Sequence, residues 1–114
     1  MPSVSQQYHV IDDADVGVVA RIGDAQAGGH SFFLGNTLIG QGSIMLAVSL
    51  GKGRDLRGSV LLVASVAVDV QPTHDHVSVQ VALSGGAPDP AIVSQGADAA
   101  PNGAVSFLTV ISFV

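Results

Sequence analysis

The chain has 114 residues, with nine acidic and four basic side chains, a formal net charge of −5 and no cysteine. That length is one ordinary domain, and the charge balance argues against a nucleic-acid-binding surface. The missing thiols exclude a disulfide framework, thiol catalysis and a thiolate zinc site. Apolar residues make up 47% and charged residues only 11% of the chain, so it has the stock for a core rather than for disorder.

All nine acidic residues are aspartate, and Lys52 is the single lysine, so the charged helix formers are almost missing. Valine occurs 18 times, glycine 14 and serine 12, a composition suited to β-branched strands broken by turns. The expectation is an all-β domain. No apolar stretch reaches the length of a membrane-spanning helix. The first fifteen residues carry no positive charge and no apolar core of a secretory leader, so the cytoplasm is the default compartment, with secretion the alternative where a leader has been removed.

Residues 1–15 read as a polar segment ending in the acidic turn Asp12-Asp13-Ala14-Asp15, and residues 16–114 as a single β domain. Val16, Val18, Ala20 and Ile22 share one parity, which predicts the first strand. Gly28-Gly29 breaks the chain. Ser31–Leu34 and Thr37–Ile39 read as short strands on either side of Gly35-Asn36. From Ser43 to Leu50 the alternation puts Ile44, Leu46, Val48 and Leu50 on one face.

Residues 58–85 hold the two longest alternations. Val60, Leu62, Ala64, Val66, Val68 and Val70 share one parity; Val77, Val79, Val81 and Leu83 share the other. A bend between Thr73 and His74 would set these runs face to face as one hairpin, with Val70 opposite Val77 and Ala64 opposite Leu83. Ala87–Gly103 is a Pro/Gly/Ala/Asp-rich passage in which Ala91–Ser94 reads as a short edge strand. Val105–Val114 is apolar on both parities, so it should be covered on both faces, by its own domain or by another subunit. Six or seven such strands predict a two-sheet antiparallel β-sandwich, immunoglobulin-like in architecture, with a small β-barrel as the alternative.

His74-Asp75-His76 is the densest group of ligand-type residues. In an extended chain the two imidazoles point the same way, and the hairpin register puts Asp69 diagonally across from His76, so His74, His76 and Asp69 form a candidate divalent-metal site needing one more ligand, from His9, His30 or another aspartate. Its His-x-His spacing resembles that of cupin metal sites, but the glutamate and glycine that follow there are missing here. Gly51–Gly58 concentrates Lys52, Arg54 and Arg57, a candidate contact for an anion or an acidic partner, without the ending of a phosphate-binding loop. Asp12, Asp13 and Asp15 would suit a hard cation but lack the closing glutamate of a calcium loop.

No nucleophile elbow and no carboxylate pair in a pocket is readable, so no catalytic residue and no resident cofactor is expected. Three functions remain in order: a non-enzymatic interaction or assembly module, self-associating through its C-terminal strand; a metal- or small-ligand-binding barrel built on the His-x-His turn; and a small hydrolase.

Overall fold

A computed structural model describes residues 1–24 and 26–114 of the chain. Ten strands run in the order β1 (Ser3–Val10), β2 (Asp15–Ile22), β3 (Ala27–Leu34), β4 (Thr37–Gly42), β5 (Met45–Lys52), β6 (Val60–Val68), β7 (His76–Ser84), β8 (Gly86–Ala87), β9 (Ala91–Asp98) and β10 (Ala104–Phe113), with one helical turn, α1 (Gly53–Leu56), between β5 and β6. They form two layers. One sheet has six strands in the order β4-β3-β6-β10-β1-β8, the other four in the order β5-β2-β7-β9. This is an all-β sandwich, and it does not close into a barrel. All pairings are antiparallel except β1 with β10, which runs parallel.

The core lies between the layers, where alternate residues of each strand meet. The four-stranded sheet contributes Val16, Val18 and Ala20 from β2 and Val77, Val79, Val81 and Leu83 from β7, all buried as their parity predicted. From the six-stranded sheet come Tyr8, Phe32, Phe107, Ile111 and Phe113, together with Leu61 and Val63. Leu46, Val48 and Leu50 of β5 pack against this cluster on the expected face, while Ile44 lies outside the strand and is exposed. The first strand is β1, inside residues read as a polar segment: Tyr8 and Val10 are buried in it.

The predicted hairpin over residues 60–83 is overturned. β6 pairs with β3 and β10, whereas β7 pairs with β2 and β9, so the two valine runs lie in opposite sheets. The inward face of β6 is also the other parity: Leu61, Val63, Ser65 and Ala67 are buried, and Val60 and Val66 are exposed. Both parities of β6 are apolar enough to serve as a core face, and partner strands from distant parts of the chain decide between them. The C-terminal strand is central, with Phe107, Thr109, Ile111 and Phe113 inward and Leu108, Val110 and Ser112 half-buried on the outside. The strand expected near residues 91–94 is the eight-residue edge strand β9.

A side chain from before β3 bridges the crossing from β6 to β7, beside backbone bonds from Asp69 N to the Gly103 carbonyl and from Ala99 N to the Asp75 carbonyl. Gln26 is buried, and its carboxamide makes four hydrogen bonds: Nε2 donates to Asp69 Oδ1 at 3.1 Å and to the His76 carbonyl at 3.0 Å, while Oε1 accepts from the backbone N–H groups of Val70 at 2.6 Å and Gln71 at 3.0 Å. These are backbone groups at a bend, where no ladder partner reaches them. Truncating Gln26 to alanine takes a donor from the buried Asp69 carboxylate and a partner from three part-buried backbone groups, and a stranded buried group costs about 1–3 kcal/mol. Gln26→Ala should lose about 3 kcal/mol in urea unfolding; a loss below about 1 kcal/mol would show that the corner is held by something else.

Candidate functional site

The four histidines scatter. His30 is buried on the inward side of β3, with Nδ1 2.7 Å from Ser65 Oγ and Nε2 3.2 Å from the Ile44 carbonyl. A carbonyl only accepts, so Nε2 carries the proton, and Nδ1 accepts from the serine hydroxyl. His9 and His74 are exposed on β1 and in the β6–β7 crossing. His76 sits at the start of β7, with Nδ1 3.2 Å from Asp98 of β9 and Nε2 3.9 Å from Asp24. The diagonal that was to bring Asp69 to His76 does not exist, because it needed the hairpin. Asp69 is tied to His76 through Gln26 bonding to the His76 carbonyl, not through the imidazole. Among the described residues, no three histidine or aspartate side chains converge on one point.

The basic segment and the acidic turn, read as separate candidates, meet each other. Lys52 Nζ lies 3.2 Å from Asp15, Arg54 pairs with Asp13 and Arg57 with Asp12. The segment is not the open hairpin loop expected: Gly53–Leu56 is a helical turn that buries Leu56. Gly53 lies against the β1–β2 connection so closely that a Cβ there would come within 2.2 Å of the Ile11 carbonyl oxygen. All three ion pairs are exposed, where such pairs contribute about 0–1 kcal/mol each. Their effect is to hold the two connections together.

Two other features carry chemistry. The first is the β6–β7 corner, where Asp69 is buried, its Oδ1 accepts from Gln26 and from the Gln71 backbone, and its Oδ2 has no partner. The exposed Asp75 carboxyl hydrogen-bonds the Asp69 side chain, and this contact, with the like charges of Asp69 and Asp98 around it, holds the Asp75 pKa above its usual value.

The second is the outer face of the six-stranded sheet. None of the chain's thirteen charged side chains lies on β1, β3, β4, β6, β8 or β10. Register aligns Leu38, Phe33, Leu62 and Val110 in one outward row across four strands, with Ala64 and Leu108 in the next row and Val66 beyond. Gly29, which has no side chain, and the small Ser106 flank Val66, and the surface dips there into a shallow depression of about 340 Å³ that also touches Met1 and Gln41. The outer face of the other sheet is different, with Arg21, Gln80, Ser78 and Ser84 on it. The one reading that pointed here was Val105–Val114, apolar on both parities; the outward valines of β6 were assigned to the core instead.

Burial lowers the His30 pKa, so the neutral ring is the folded form. A base whose pKa falls on folding leaves stability intact above the ordinary imidazole value of 6.5 and loses it as pH drops below that value towards the folded pKa, because the unfolded chain takes up the proton first. In thermal melts compared with a His30→Gln variant, wild type should lose stability more steeply on acidification below pH 6.5; parallel curves would place the proton uptake elsewhere.

No protein-family model, no curated protein and no solved structure matches this chain, so its function is argued from its own geometry.

Proposed function

We propose that this protein is a non-enzymatic assembly module, and that two copies stack through the outer face of the six-stranded sheet. The observation that carries the reading is the segregation of charge: with −5 overall, the chain keeps every charged residue off the strands of this one sheet. A surface that only faces water gains solubility from charge, and its removal from a whole sheet favours a face that is covered in use.

A second copy is the occupant that the charge pattern fits. Two acidic molecules repel, and they approach most easily where neither presents a charge. Around a two-fold axis the row Leu38–Phe33–Leu62–Val110 meets its own image, which is how sheets pack in a sandwich. Four strands about 4.8 Å apart and about eight residues long, at roughly 3.3 Å per residue, span about 500 Å² per copy. Two facing copies therefore bury on the order of 1,000 Å², the lower bound for a specific interface. This corrects the route of self-association expected from the C-terminal strand. β10 has neighbours on both sides and offers no free edge; it contributes Leu108 and Val110 to a face.

Sedimentation equilibrium should give twice the 11.4 kDa chain mass at high concentration. Val66 is 43% exposed in the single chain, so Val66→Lys should fold and weaken the dimer about 100-fold, by placing an unpaired charge in the contact. A mass of 11.4 kDa at every concentration overturns the reading, as does a Val66→Lys protein that dimerises like wild type.

A further inference from the structure

The β6–β7 crossing borders a half-open pocket of about 220 Å³, in which the polar side chains of Asp69, Gln71, Asp75 and Asn102 stand beside Val70, Pro72 and Pro101. Asp69, 2% exposed, lines it, and its Oδ2 has no donor while the neighbouring Asp75 is ionised. A buried carboxylate oxygen without a partner is uncommon, because its desolvation is not offset by a hydrogen bond. Among the described residues it is the one buried side-chain nitrogen or oxygen without a partner: Gln26 uses both ends of its carboxamide, and Asp69 Oδ1 accepts twice.

We propose that this cavity binds a hard divalent cation, calcium, held by the carboxylates of Asp69 and Asp75. The lining side chains offer oxygen donors: two carboxylates and the Asn102 amide. That set suits calcium, which takes six to eight oxygens in flexible geometry, and not zinc, which prefers imidazole and thiolate.

Charge argues the same way. Asp98 adds a third negative charge near Asp75, and His74 is the single titratable group there of opposite tendency. The lysine and two of the three arginines are engaged at the Asp12–Asp15 turn, and the third, Arg21, stands on the outer face of β2. A cation between the two carboxylates would supply the missing countercharge and fill the coordination of Asp69 Oδ2. With two carboxylates and one of them exposed, the affinity expected is that of the weak class, with a dissociation constant of about 10⁻⁴ to 10⁻³ M.

The test is calcium titration of the full chain, followed by amide NMR at constant ionic strength. The amides of residues 69–75 and 102 should shift and saturate by about 10 mM calcium. Asp75→Asn leaves the four Gln26 hydrogen bonds in place and should raise the dissociation constant at least tenfold, while Asp89→Asn, at an exposed aspartate outside the cavity, should leave it unchanged. Asp69→Asn keeps the side-chain shape and should abolish saturation; if it does not fold, Asp75→Asn alone decides. The proposal is overturned if these amides do not move with calcium, if they move equally in Asp75→Asn, or if they respond to pH and not to the metal.

Discussion

One carboxamide bridges the point where the chain passes from one sheet to the other. Gln26 ties the backbone of Val70 and Gln71 to the His76 carbonyl across residues 69–75, which form a corner between layers and not the turn of a hairpin. A hairpin turn satisfies its polar groups across its own two strands. A corner has no ladder to lean on, so its backbone needs a side chain from elsewhere. Once that corner is fixed, β6 enters one sheet between β3 and β10, and β7 enters the other between β2 and β9. The apolar residues of the two then face each other across the core.

Local alternation was a sound guide wherever only one parity was apolar. On β2 the buried set Val16, Val18, Ala20 and Ile22 is interrupted by Gly17 and Arg21, and on β7 the buried valines alternate with Ser78 and Gln80, so one face was unambiguous. On β6 the alternatives were Leu61, Val63, Ser65 and Ala67 against Val60, Leu62, Ala64 and Val66, and hydropathy favoured the second. The chain buries the first because Ser65 has a partner in His30, thirty-five residues away, which removes the cost of its hydroxyl. Such pairing between distant segments leaves no local trace. The same holds for the corner: Asp69 looked like the end of a strand, and nothing near it announces that Gln26 will bury it. A clue did exist in length, since seven residues separate β6 from β7, more than the two of a tight hairpin.

The basic and acidic segments show a related effect. Each was a plausible binding element when taken alone, and folding brings them side by side, so that Lys52, Arg54 and Arg57 spend their charge on Asp15, Asp13 and Asp12. What remains is an uneven molecule. One sheet carries polar and charged groups outward; the other has no Asp, Lys or Arg on its strands and is apolar outward along the row from β4 to β10, with Ser5, Gln7 and His9 outward on β1 and the crossing and its carboxylates at a separate place. The contrast between the faces, more than any single residue, is what distinguishes this sandwich from a generic soluble β domain.

The parallel seam between β1 and β10 also constrains how the molecule comes to exist. β10 comes last of the ten strands in chain order, yet it lies between β1 and β6, near the middle of its sheet. Before β10 is in place, β1 lacks its principal neighbour and β6 exposes an unpaired edge, with Leu61 missing Ile111 and Val63 missing Thr109 beside it. The nine strands before it must therefore wait, apolar and uncovered, for the tenth. A sandwich closed by a strand so distant in sequence from its partner β1 assembles late.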